Sequence, residues 1–358
     1  MSTISLCMIV KNEEDVISRC LESVADLVDE IIIVDTGSTD RTKELAAAFT
    51  DRIYDFPWID DFAAARNYAF DQASMDYCMW LDADDILLPQ DRQIFQQVKN
   101  GLTQDINVVM MKYNTAFDAD GNVTFSYYRE RIIKNHAGMR WVGAVHEVVT
   151  TVGMRIHSDC AVTHRKLHPS DPDRNLRIFE SLLARGETLD PRQRFYYGRE
   201  LFYHKRYAEA VQVFEEFLDS NAGWVENVID ACSQCAHCYY EMGKEEQALR
   251  SMLRSFVYDV PRAELCCDIG RHFFDRKRHE QSAYWYTMAL ECKQDAQRGG
   301  FVSADCYGYI PCMQLCVCYD ALGQREKAIM YNERAAEFKP NSPAVAANRR
   351  YFGIEQAT

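Results

Sequence analysis

Several clusters in this chain combine residue types that can hold an ion or move a proton. The densest is Asp82-Ala83-Asp84-Asp85, which follows the apolar run 77–81. Two carboxylates spaced i, i+2 at a strand end can both reach a hard divalent ion, which prefers oxygen ligands and leaves room for phosphate oxygens. Alone, an acidic pair in that position is more often a solvated turn. His164 ends the run CAVTH (160–164). A neutral imidazole there suits a borderline ion such as Mn2+, whereas a lone strand-end histidine is ordinarily a polar edge residue.

Three further segments carry candidate chemistry. In DTGSTDRT (35–42), Asp35 at a strand end is placed to accept hydrogen bonds from a ligand and Gly37 permits a close backbone turn. Asp40 is explained by helix capping alone. DFAAARNYAF (61–70) opens a helix with Arg66 and Asn67 near its start; an arginine there is suited to a diphosphate or a base, or to an ordinary salt bridge. In RWVGAVHEVV (140–149), either Glu147 or His146 has the chemistry of a general base. Strand alternation would put these two on opposite faces, so that one at most enters a given site. A buried structural pair is the bland alternative.

These residues need elements to converge. Ile4–Val10, Glu30–Asp35, 52–56 and 77–81 read as strands, separated by helical stretches over roughly 13–27, 40–49, 61–74 and 90–100. Such alternation predicts an α/β domain built on a mostly parallel, Rossmann-like sheet. Ligands in such sheets collect beyond the carboxyl ends of the strands. KNEE (11–14), DTGSTD (35–40) and DADD (82–85) all stand at those ends. Residues 106–165 are rich in Val, Thr, Tyr and Ile, and predict mixed or antiparallel strands extending the sheet, with a turn over 118–121. HPSDPDRN (168–175) is a loop of turn formers, placing a domain boundary between 168 and 173.

From 173 to 358 the pattern is helical and repetitive. Ala210, Ala248, Ser282 and Ala328 align, with Gly198, Ala236, Gly270 and Cys316 before them and Phe217, Ser255, Ala289 and Ala335 after. Small residues recurring near a 34-residue period are the signature of tetratricopeptide repeats. Gly243, Gly323 and Pro340 supply turn signals, and 293–304 reads as an insertion in the fourth interval. Cys232, Cys235, Cys238 and His237 mimic zinc spacing, but they spread around one repeat helix with no second C-x-x-C set. Cys312, Cys316 and Cys318 read the same way.

The bulk numbers set limits. A chain of 358 residues holds two or three domains, and a net charge of −14 argues against broad nucleic-acid binding. No apolar run reaches the length of a membrane span, and the start is not that of an export signal. The 14 cysteines then read as reduced thiols of a cytoplasmic protein.

KNEE, DTGSTDRT, DFAAARN, WLDADD and W-x-G-x-x-HE, in this order, closely resemble the motifs of family-2 glycosyltransferases of the GT-A fold. With the tetratricopeptide tail, the layout is similar to the subgroup that includes bacterial S-glycosyltransferases modifying bacteriocin precursor peptides. The resemblance implies an inverting, metal-dependent transfer from a nucleotide sugar, usually a UDP-sugar, with Mn2+ or Mg2+. It implies a donor pocket of Ile9, Lys11, Asn12, Asp35 and Gly37, with Arg66 and Asn67 beside it and Asp82 and Ala83 also on the donor. Asp84, Asp82 and His164 would hold the metal, and Glu147 would be the base, with His146 as second candidate. Many relatives carry an aromatic residue where Lys11 stands. A peptide or protein acceptor is expected, the repeats serving as its platform or as a homodimer contact. A glycan or lipid acceptor is one alternative, and a non-catalytic repeat scaffold with a vestigial sugar-nucleotide domain is another. Membrane helices and a Q-x-x-R-W motif are missing, so a processive synthase is not expected.

Overall fold

The computed structural model describes residues 2–117, 121, 123–167, 171–293 and 302–354. It divides into two compact units, Met1–Thr188 and Leu189–Thr358.

The first unit is built on strands β1 (Ile4–Val10), β2 (Glu30–Asp35), β3 (Ile53–Asp55) and β4 (Tyr77–Trp80), with helices α1 (Ile17–Glu22), α2 (Thr42–Ala46) and α3 (Phe62–Asp71) between them. There follow β5 (Asp85–Leu87), α4 (Pro89–Gly101), β6 (Ile106–Phe117), β7 (Val123–Lys134), the short pair β8 (Trp141–Val142) and β9 (Val148–Val149), β10 (Met154–His164) and α5 (Arg174–Ala184). Eight strands form one sheet in the order β3-β2-β1-β4-β7-β6-β10-β5. The first four are mutually parallel, and β7 joins β4 antiparallel. The sheet is therefore mixed rather than uniformly parallel, with a Rossmann-like half carrying the first three motifs.

Apolar runs form β1 and β2 because both faces of the sheet are covered. Side chains alternate along β1. Ile4, Leu6, Met8 and Val10 enter the core that holds Ile17, Leu21 and Phe95 of α1 and α4. Cys7 enters the opposite core, with Ala63, Ala69 and Phe70 of α3. The expected helices over 13–27 and 40–49 are shorter than anticipated, six and five residues, because backbone-bonded turns occupy 14–16, 23–27 and 47–49. The turn expected over 118–121 falls largely outside the described residues. So do part of the 168–175 loop and most of the 293–304 insertion. Helix α5 groups with the first unit, later in the chain than the boundary read from turn formers.

The second unit is a series of antiparallel hairpins: α6 (Pro191–Tyr203) with α7 (Tyr207–Asp219), α8 (Val225–Glu241) with α9 (Glu245–Arg254), α10 (Ala263–Asp275) with α11 (His279–Glu291), and α12 (Tyr309–Ala321) with α13 (Arg325–Phe338), then α14 (Pro343–Phe352). Ala210, Ala248, Ser282, Ala328, Ala236, Ala289 and Ala335 are all fully buried, so the aligned small residues are where paired helices touch. A Cβ on Gly198 would lie 2.7 Å from the Phe214 ring, which is why that position has no side chain. Each hairpin turns through one left-handed residue: Gly243 and Gly323 in the second and fourth, Lys205 and Lys277 in the first and third. These are tetratricopeptide repeats. Cys232, Cys235 and Cys238 are buried free thiols packed within the hairpins.

Candidate active site

The DADD turn is fixed from both sides. The Asp85 N–H donates to the Asp82 carbonyl at 3.0 Å, and the Asp82 N–H donates to Asp85 Oδ2 at 3.1 Å. Asp85 begins β5, which pairs antiparallel with the end of β10 so that Asp85 stands opposite His164. That register brings His164 Nδ1 to 3.3 Å from Asp84 Oδ1 and 3.2 Å from Asp85 Oδ1. Ligand-capable atoms of Asp84, Asp85 and His164 all lie within 4.8 Å of one another. Hydrogen bonds to Asp84 and then to Asp85 outweigh burial and push the His164 imidazole up to about 10.

Asp85 itself is fully buried and uses both oxygens. Oδ1 accepts from the Tyr113 hydroxyl at 3.0 Å, and Oδ2 accepts from Arg131 Nη1 at 3.1 Å. Arg131 is also fully buried, its guanidinium 3.8 Å from the Trp80 ring centroid and 4.3 Å from that of Tyr113. A charge without solvent needs such a partner, since an isolated buried ion costs several kcal/mol, on the order given for real proteins. Burial and the neighbouring carboxylates hold the Tyr113 hydroxyl well above its ordinary range.

Arg66 projects from α3, whose start is capped by Asp61 accepting from the Ala64 N–H at 2.8 Å. Its Nε donates to Glu147 Oε1 at 2.7 Å and its Nη2 to Asp82 Oδ1 at 2.8 Å. The guanidinium lies 4.9 Å from both the Trp80 and Trp141 ring centroids. Burial works against its charge, but Asp82 and Glu147 outweigh that and raise its pKa. Burial likewise disfavours the Asp82 carboxylate, yet Arg66 and Arg131 hold it below the usual carboxylate range.

At the end of β2, Asp35 Oδ1 accepts from the N–H groups of Gly37 and Ser38 at 3.0 and 2.8 Å. Gly37 has φ +104°, which only glycine adopts readily. Asp35 Oδ2 is buried with no hydrogen-bond partner. Buried polar atoms are ordinarily satisfied, so this oxygen is an open acceptor.

Residues 5–157 match the sequence profile described as Glycosyl transferase family 2. The first unit contains a family-2 glycosyltransferase domain. A TPR repeat-containing protein of Synechococcus elongatus is 36% identical over 149 residues, covering 42% of this chain and 36% of that protein. The SPbeta prophage-derived glycosyltransferase SunS of Bacillus subtilis is 27% identical over 237 residues, covering 61% of this chain and 54% of SunS. The chain thus spans about a third to a half of the length of these curated relatives. Among solved structures, glucosyl-3-phosphoglycerate synthase from Mycobacterium tuberculosis with Mn2+, UDP-glucose and phosphoglyceric acid is 27% identical over 32% of this chain and 44% of that one, at a TM-score of 0.27. Among the described residues, no helix is long and apolar enough to cross a membrane.

Within the glycosyltransferase domain the expected residues fall into distinct settings. Ile9 is half-buried near the end of β1, Ala83 is buried in the DADD turn and Lys11 is exposed. Asn12 has a positive φ, its N–H donates to Ser38 Oγ and its Oδ1 accepts from the Thr39 N–H, so it staples KNEE to DTGSTD. Asp40, expected as the helix cap, accepts from the N–H and hydroxyl of Thr42 and from the Glu14 N–H; the cap position of α2 is Arg41, so Asp40 closes the turn before the helix instead.

Three readings change. Asn67, expected on the donor, has both ends of its amide on the Trp141 backbone at 2.9 Å and ties α3 to β8. Residues 143–147 form a loop between β8 and β9 rather than a continuous strand, so alternation does not separate His146 from Glu147. Gly143 and His146 both take positive φ there, and His146 Nε2 stands 3.5 Å from Asn175 Nδ2 while Glu147 meets Arg66. The ligand-capable cluster contains Asp85 in addition to Asp84 and His164, whereas Asp82 Oδ1 is held by Arg66. Asp85, Tyr113 and Arg131 had escaped the sequence reading. The three consecutive charges Arg129, Glu130 and Arg131 in the otherwise strand-like run YYRERIIK (127–134) were the available signal.

Proposed function

We propose that this protein is an inverting, metal-dependent glycosyltransferase that moves a sugar from a UDP-sugar to a peptide or protein side chain. One observation carries the reading: Arg66 joins the base candidate Glu147 to Asp82, within the same DADD turn that supplies the Asp84–His164 cluster. Carboxylates, a phosphate-suited turn and a half-buried base thereby share one site.

The oxygen-rich set with one imidazole fits Mn2+ or Mg2+, with Asp84 and His164 as ligands and Asp85 beside them. Bound there, a divalent ion supplies positive charge opposite a departing diphosphate. The chain's own residues do the rest. Asp35 Oδ2, buried and without a partner, accepts an N–H of the nucleobase. Ile9, Lys11, Asn12 and Gly37, at the ends of β1 and β2, flank the nucleoside in this reading. Glu147 takes the proton of the acceptor nucleophile as it attacks the face opposite the leaving group, with His146 as the alternative base. Arg131 and Tyr113 hold Asp85, and Asp85 orients His164, as an outer carboxylate does for a metal-binding imidazole.

The repeats serve as the acceptor platform, because stacked hairpins present an extended surface. A second copy docking on them is the homodimer version of the same surface. The free thiols accord with a reducing, cytoplasmic setting, and the paired charges of the site count against a vestigial scaffold. Calorimetry with UDP and Mn2+ tests the donor assignment. Asp84→Ala is expected to weaken the metal-dependent component about 10–100-fold, as loss of metal-site contacts does; unchanged binding would remove the metal assignment. Mass spectrometry of lysate incubated with several UDP-sugars is expected to show a hexose-sized shift on a peptide or protein. Label appearing only on glycans or lipids would overturn the acceptor class.

A further inference from the structure

We infer that Arg66 is a positioning residue for Glu147, locking the base to the donor-side carboxylate Asp82, rather than a contact to the donor itself. This rests on the reading of Glu147 as the base. The geometry is specific. A guanidinium presents a planar fork, and here two of its nitrogens are spent on two carboxylates 65 residues apart in the chain, at 2.7 and 2.8 Å. The fork has little freedom to turn away. Its charged group lies against both the Trp80 and Trp141 rings, 4.9 Å from each centroid, and those rings pack edge to face with centroids 5.1 Å apart. The helix that carries it is held too. Asp61 caps its start, the Phe62 N–H donates to the Ala144 carbonyl at 2.8 Å, and Asn67 clamps Trp141.

The bridge has a chemical consequence. Glu147 comes from the 143–147 loop, which has no strand ladder of its own to fix it, and its side chain is 13% exposed. Asp82 is the more open partner, its side chain 37% exposed. The position of the base is therefore set through Arg66 by the residue that also borders the donor. A lysine carries the same charge but not the fork, and holds one carboxylate at a time.

Steady-state kinetics on the full chain test this, using the sugar donor and acceptor that the wild type turns over. Arg66→Met is expected to lower kcat about 100-fold, the size associated with misplacing a catalytic group by about 1 Å, while KM for the donor stays within about twofold. Arg66→Lys is expected to fall between wild type and Arg66→Met. In an Glu147→Gln background, Arg66→Met should cost less than about threefold, because residues acting as one unit are not additive. A donor KM that rises strongly at unchanged kcat would overturn the inference and make Arg66 a donor ligand. A full additional loss in the Glu147→Gln background would also overturn it. Should Arg66→Met fail to fold, Arg66→Lys is read by the same kcat-against-KM split, with thermal unfolding confirming its fold. Full activity of Glu147→Gln would instead bring down the base assignment on which the inference stands.

Discussion

The two units hold themselves together by opposite means. Among the described residues, seven of the eight buried Asp, Glu and Arg side chains belong to the first unit, Glu200 being the exception. Two of them, Arg66 and Arg131, meet the half-buried Arg129 around Trp80, each within about 5 Å of its ring. The repeat unit instead buries alanines, cysteines, serines and glycines where its helices meet, and leaves most of its ion pairs half-exposed or exposed. Buried ion pairs are poor stabilisers compared with apolar packing of the same volume. Their concentration in one unit therefore points to chemistry, and the regular small-residue contacts of the other point to architecture.

The comparison can be broken in order of effect. Glu147→Gln should retain donor binding and lower transfer by about 10²–10⁴-fold, the usual worth of a general base; rapid-mix kinetics with calorimetry separates the two, and full activity would place the base elsewhere. The next effect is on pH. His164 is raised to about 10, so at neutral pH its imidazole carries a proton that a metal must displace. Mn2+ affinity should then rise by about tenfold for each pH unit from 6.5 to 8.5, since one proton leaves for each ion bound. Calorimetry in buffers of different ionisation enthalpy reads the released proton; a flat profile would mean His164 does not ligate.

Two changes in the repeats should leave donor binding alone. Gly198→Ala puts a Cβ 2.7 Å from Phe214 and should cost about 1–3 kcal/mol in thermal unfolding, as overpacking does. Lys277→Gly relieves a left-handed residue at φ 57° and should gain up to about 1 kcal/mol. If either altered UDP binding, the division between a chemical and an architectural unit would be wrong.

Much of this was legible in advance. The runs at 4–10 and 30–35 read as strands because both sheet faces are covered, and covered strands are apolar throughout. The repeats were legible because close helix packing admits only small residues, so the contacts print a period. Asp35 and Asp40, two carboxylates five residues apart, were separable because one ends a strand and the other leads into a helix, although Arg41 and not Asp40 takes the cap position.

What escaped depends on contacts between distant segments. Nothing near Asp85 in the chain indicates that it meets Arg131, 46 residues on, or that β5 turns back along β10 to face His164. Asn67 looked like a ligand residue because its amide partners lie 74 residues away. Local sequence determined which residues stand at strand ends, where helices start and where small residues recur, because propensity, capping and packing size act over one turn or one repeat. Only the tertiary structure decided which carboxylate pairs with which arginine, because the energy of a buried charge depends on what the fold brings within about 3 Å of it, and sequence distance does not measure that.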